Sequence, residues 1–131
     1  MRLLPIGIAL LIATASARAA DVTVQQISVA LAKASPSSPV NFSHRDLSYL
    51  DLSELDFKHA NLGGANLYGA DLSRADLSRV NLSGANLDHT LIIGANFAGA
   101  DLSNASLFDT VGYSSLEVSP AEAPNFSGAN L

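Results

Sequence analysis

From Phe42 to Leu107 a large apolar side chain returns at every fifth position. The series is Phe42, Leu47, Leu52, Phe57, Leu62, Leu67, Leu72, Leu77, Leu82, Leu87, Ile92, Phe97, Leu102 and Leu107, fourteen members without a gap. Two residues before most of them stands a small residue, as at Ala60, Ala65, Ala70, Ala75, Ala85, Ala95, Ala100 and Ala105. One residue before each stands Asn or Asp, except at Leu91 and Ser106. A period of five matches neither the 3.6 of a helix nor the 2 of a strand. A long amphipathic helix and a plain half-buried strand are therefore both excluded. Phase held over seventy residues, 40–109, predicts a repeat architecture.

The triplets Ala60-Asn61-Leu62, Ala65-Asn66-Leu67, Ala85-Asn86-Leu87, Ala70-Asp71-Leu72, Ala75-Asp76-Leu77 and Ala100-Asp101-Leu102 share one pattern. In these residues the chain resembles the pentapeptide-repeat family, whose motif is A-[DN]-L-x-x. The resemblance implies an all-β fold, a right-handed quadrilateral (four-sided) β-helix with one pentapeptide per side and twenty residues per coil. It places the central Leu or Phe and the small residue inward and the other three positions outward. Seventy residues would then make 3.5 coils, or roughly 17 Å of stack at the usual strand spacing. Close packing requires one large and one small inward residue per side.

Both ends of such a stack expose apolar side chains and unpaired strand edges. The segment 21–39 lacks the repeat and reads as a cap and linker. Asp21 as N-cap, with Val24, Ile27, Leu31 and Ala34 on one face, predicts a short capping helix that the run Ser35 to Pro39 ends. The alternative is an unpacked N-terminal segment. Past Leu107 the motif decays, and 110–124 reads as degenerate repeat or loop. It resumes over 125–131 with Phe126 and Leu131 as central residues. The nineteen residues from Leu107 to Phe126 are one short of a coil. A four-residue side near Gly112, with Leu116 and Ala121 as central residues, would absorb the slip; a loop excursion is the alternative. Ending on an inward Leu131 suggests a fragment, or an end covered by a partner or a second copy.

The first twenty residues belong to a different pattern. Arg2, the apolar run Leu3 to Ala13 and the Ala17-Arg18-Ala19 site form the three parts of a secretory signal peptide, residues 1–20. The run is about eleven residues, short of the roughly 20 that span a bilayer. The expectation is export to the periplasm or beyond, a mature chain starting at Ala20 or Asp21, and no membrane association after cleavage. An uncleaved anchor is the alternative. Removing Arg2 and Arg18 leaves five Lys and Arg against twelve Asp and Glu, a net charge of −7. With that sign no nucleic acid is expected to bind. The absence of Cys excludes a disulfide scaffold, a thiolate metal site and a Cys nucleophile.

A twenty-residue coil puts residues twenty apart in one column. Asn41, Asn61, Asn81 and Asp101 then share one side. Asp51 and Asp71 share another, with Glu54 over Arg74 as an ion pair. Asp56 and Asp76 share a third, with His59 over Arg79. Tyr68, Asp88 and Phe108 form one column of the fourth, beside Tyr49, His89 and Asp109. The outward acidic ladders Asp51/Asp71 and Asp56/Asp76 stack like charges, which can raise a carboxyl pKa and hold a cation weakly. The repeat itself demands Asn or Asp there, so a structural role outweighs a metal site. Leu91 and Ile93 replace polar residues on the Asp51/Asp71 side and form the candidate partner patch. Arg45, at an inward position, is expected at the first coil with its head group outward.

No catalytic constellation appears: G-x-S-x-G is missing, and His44, His59 and His89 fall on different sides. No cofactor and no metal are expected. The sequons at Asn41, Asn81, Asn104 and Asn125 arise from a repeat rich in Asn and Ser. The reading is an exported, non-enzymatic scaffold or protein-interaction module, with an unknown protein partner or self-association at the C-terminal coil. The alternative the resemblance supplies is a DNA mimic that occupies a type II topoisomerase. Residues 40–109 hold nine acids and four bases, about half the charge of duplex DNA over the same length. That density and the leader both disfavour the alternative.

Overall fold

A computed structural model describes residues 22–112 and 122–131. The leader-like segment 1–20, Asp21, Leu116 and Ala121 lie outside them.

The unit of the fold is one pentapeptide with every amide paired, and 71–75 shows how. Asp71 N–H donates to the Leu50 carbonyl at 2.9 Å, Leu72 to Leu91 at 2.8 Å and Arg74 to Ile93 at 2.8 Å. Ala75 closes a turn on the Leu72 carbonyl at 3.0 Å. The fifth amide, Ser73, donates to the Asp71 carboxylate at 2.8 Å. Backbone amides require partners, and the short Asn or Asp side chain supplies the last one as an Asx turn. The same bond recurs at Asn41, Asp51, Asn61, Asp76, Asn81, Asn96 and Asp101.

The third residue of each turn is left-handed, as a type II turn demands. Gly64, Gly69, Gly84, Gly94 and Gly99 fill it without steric cost, whereas His44, Tyr49, Glu54, Arg74, Arg79, His89, Asn104 and Asp109 adopt it with side chains. Between 42 and 109, His59 is the exception at this position.

Coils stack in parallel with a register of twenty. Strand β1 (Val40–Asn41) pairs with β2 (Ala60–Asn61). Single bridges continue the stack along four ladders, Asn61↔Asn81↔Asp101, Asp46↔Asn66↔Asn86↔Ser106, Asp51↔Asp71↔Leu91↔Val111 and Asp56↔Asp76↔Asn96. Each pentapeptide is extended only briefly before it turns, so the pairing appears as bridges rather than long strands. The central residues fill the bore: Leu47 through Leu87 and Phe97 are wholly buried, and the small residues Ala65, Ala70, Ala75, Ala85, Ala95 and Ala100 pack beside them. Thr90 fits a small position because its hydroxyl donates to the Leu87 carbonyl at 2.7 Å. Arg45 is exposed at the first coil, and Leu50 and Leu55 there are half-buried.

Helix α1 (Val24–Lys33) lies against that first coil, and a cleft between them is lined by Leu31, Ala34, Leu55 and His59. Ile27 is fully buried in the common core, with Val24 and Leu31 packed around it. The N-cap is Thr23 rather than Asp21, because Thr23 and Gln26 complete a reciprocal capping box. Ser35 and Ser38 then pair across Pro36-Ser37 and turn the chain into β1.

The far end departs from the four-residue side expected near Gly112. Val111 bridges Leu91, and Gly112 lies over Ile92 in the normal register. Asn125 then bridges Asn96, twenty-nine residues earlier, and Asn130 bridges Asp101. Gly94 N–H, whose partner by register would be residue 113, donates to the Glu122 carbonyl. Nine residues are therefore inserted after Gly112 rather than one deleted. Phe126 stacks on Phe97 at 4.9 Å, on the side that directly follows Gly112.

Candidate functional site

The turn residues of one corner carry aromatic rings at every level. Tyr49 meets Tyr68 at 5.5 Å, Tyr68 meets His89 at 5.0 Å and His89 meets Phe108 at 5.8 Å, each edge to face. The rings alternate between the second and third turn positions, so the line zigzags upward through four coils. Tyr49 and Phe108 are each 70% exposed. Tyr49 and Tyr68 also border a shallow depression with Asp46, Ser48, Asn66 and Asn86. The columns followed from the coil length that the family resemblance implies, but the continuous ring contact did not. It needs the left-handed third residue to swing Tyr49 and His89 toward their neighbours.

The proposed patch adjoins this corner. Leu91 is 37% exposed, Ile93 is half-buried, and Val111, bridged to Leu91 in the next coil, is 39% exposed. Sequence reasoning missed Val111, which breaks the Asn/Asp rule at its own level. Leu91 offers no oxygen to the Ile93 amide, so the ladder gives up an Asx turn where it gains apolar surface.

Asp51 and Asp71 are in register, as are Asp56 and Asp76. Asp51 is nevertheless held below the ordinary carboxyl value, because the Ser53 hydroxyl and amide donate to it at 2.6 and 3.1 Å. For Asp76, partial burial pushes upward, but the Ser78 hydroxyl and amide and Lys58 together outweigh it and hold the group low. Lys58 sits 3.2 Å from Asp56 and 3.6 Å from Asp76, which relieves the like-charge contact. The rise that stacked like charges can cause is thus not seen at Asp51 or Asp76. Among the described residues no cluster of three or more His, Asp or Glu side chains is placed to hold a metal ion.

Glu54 and Arg74 pair as expected at 2.9 Å, both exposed, an interaction that contributes about 0–1 kcal/mol. His89 lies 3.0 Å from Asp109. Ser106 breaks the Asn/Asp rule, and Asp88 from the coil below replaces its function by accepting the Phe108 amide at 2.8 Å and the Ser106 hydroxyl.

The sequence profile of pentapeptide repeats matches residues 40–74 and 70–109, in eight copies. Among curated proteins none matches the chain. Solved structures that resemble it include three cyanobacterial pentapeptide-repeat proteins. HetL from Nostoc sp. strain PCC 7120, involved in heterocyst differentiation regulation, is 25% identical, with 64% of this chain and 39% of HetL covered and a TM-score of 0.39. Protein alr5209 from the same organism is 26% identical, over 82% of this chain and 91% of its own, with a TM-score of 0.42. Rfr23 from Cyanothece 51142 is 28% identical, over 69% and 55%, with a TM-score of 0.30. The chain thus spans well under half the length of HetL and about half that of Rfr23.

Proposed function

The chain belongs to the pentapeptide-repeat family, and from that premise we propose that it is an exported, non-enzymatic interaction scaffold built as a right-handed, four-sided β-helix. In this reading 1–20 is a signal peptide, 21–39 the N-terminal cap and linker, and 40–109 the repeat body, interrupted over 110–124 and resumed over 125–131. Stacked coils offer a rigid, extended surface with side chains at fixed spacing.

The observation that carries the reading is the exposure of Leu91 and Val111, one above the other, where the repeat calls for Asn or Asp. A polar residue there would complete an Asx turn; an apolar one serves a partner better than it serves the fold. Self-association at the C-terminal coil is the other contact of the same scaffold in this reading. The leader supports an extracytoplasmic partner.

A photoreactive residue placed at 91, 93 or 81 in the full chain with its leader tests this. Cross-linking in the periplasmic fraction or medium from positions 91 and 93, but not from 81 on a polar ladder, is the expected result. Equal labelling at all three, or recovery of uncleaved protein in the cytosol alone, overturns it. Gyrase supercoiling is expected to be unimpaired by micromolar protein.

A further inference from the structure

The aromatic corner is poorly explained as packing. Rings that stay 70% exposed at Tyr49 and Phe108 bury little apolar surface between coils. The positions they vacate are informative. Asp88 stands between Tyr68 and Phe108 in one column, and Asp109 stands over His89 in the other. In the third and fourth coils each ring therefore has a carboxylate beside it in sequence, Asp88 next to His89 and Asp109 next to Phe108. Over 45–49, 65–69, 85–89 and 105–109 the only full charges are Asp46, Asp88 and Asp109 against Arg45. The adjoining side adds Asp51, Glu54 and Asp71 against Arg74.

An aromatic face attracts a cation that approaches within about 6 Å of its centroid, and a nearby carboxylate adds to that attraction. Resting on the reading of the chain as an interaction module, we infer that this corner is a docking strip for an extended segment of a protein partner that carries arginine or lysine at alternate positions. Its cations lie over Tyr49, Tyr68 and Phe108 and pair with Asp88 and Asp109. The spacing agrees. Three coil steps from Tyr49 to Phe108 span about 14 Å, and residues i and i+4 of an extended strand stand about 13.5 Å apart.

The test uses the full chain and fluorescein-labelled peptides with four Arg-Val repeats or four Glu-Val repeats, followed by anisotropy. The Arg peptide is expected to bind and the Glu peptide not. The double variant Tyr49→Leu, Phe108→Leu keeps apolar bulk but removes the ring quadrupoles, and is expected to weaken binding about tenfold. Asp109→Asn is expected to weaken it severalfold, whereas Asp101→Asn, on another side, leaves it unchanged. Melting curves establish that each variant is folded. Unchanged affinity in the double variant overturns the strip, as does equal loss from Asp101→Asn, which marks diffuse attraction. Binding of a soluble β-glucan oligosaccharide in place of either peptide also overturns it. If peptide binding fails while cross-linking at Leu91 persists, only this inference falls; loss of both removes the module reading as well.

Discussion

The Asp88 carboxylate accepts the amide of Phe108, one coil above it, at 2.8 Å. Phe108 follows Ser106 by two residues, and Ser106 stands where an Asn or Asp would normally accept that amide. One side chain thus repairs a missing Asx turn in its neighbour.

Asp88→Ala is therefore expected to lower the melting temperature more than Asp88→Asn, because the carboxamide oxygen still accepts. Adding Ser106→Asp to Asp88→Ala restores a local acceptor and should recover most of the loss. Circular-dichroism melts of the three variants decide this; no recovery would mean that Asp88 acts in another way.

The core makes a sharper demand. Leu72 is wholly buried, whereas Leu131 is 78% exposed. Leu72→Ala is expected to cost about 2–5 kcal/mol through lost transfer energy and a cavity, and Leu131→Ala no more than about 0.5 kcal/mol. Denaturant unfolding measures both, and similar values would contradict the burial pattern.

Two glycines separate backbone strain from crowding. Gly84 has φ +67 with open space around its Cβ position, so Gly84→Ala should cost about 1 kcal/mol from conformation alone. Gly69 has φ +65, and an added Cβ would lie 2.8 Å from the Tyr49 ring. Gly69→Ala is expected to cost more and to shift the Tyr49 and Tyr68 ring resonances in NMR spectra. Identical costs with unmoved resonances would argue against the ring ladder.

Acid should loosen the stack. Asp51, Asp76, Asp88 and Asp101 are all held below the ordinary value of 3.8. A depressed native pKa contributes stability that is present above the unfolded value and is lost as pH falls through the native one. Stability is thus expected to be level near neutrality with respect to these groups and to fall below about pH 4. A urea midpoint that rises on acidification from pH 5 to pH 3 would contradict the assignment.

Leu91→Asn separates fold from partner. It restores an acceptor for the Ile93 amide, so stability is expected to hold or rise, while partner cross-linking from position 93 declines. Loss of stability with intact cross-linking would show that Leu91 serves the fold instead.

The sequence pattern determined the unit and the buried Leu and Phe series through its five-residue period, because an inward position tolerates so few side chains, and the twenty-residue columns followed from the resemblance to pentapeptide repeats. It also placed the capping helix, whose apolar face repeats at helical spacing. The Asn/Asp position was legible as a rule, and Leu91, Ile93 and Ser106 stood out against it. Only the tertiary structure decided what the rule does: each short oxygen pairs the one amide its own turn leaves over, which helps to hold Asp51 and Asp76 low. The N-cap at Thr23 rests on its local capping box with Gln26, whereas the nine-residue shift of register after Gly112 was settled by pairing between distant residues. So was the union of Tyr49, Tyr68, His89 and Phe108 into one line. Spacing along the chain fixes which column a residue joins. Which neighbour its side chain touches depends on turn geometry and on the coil above, and neither is written locally.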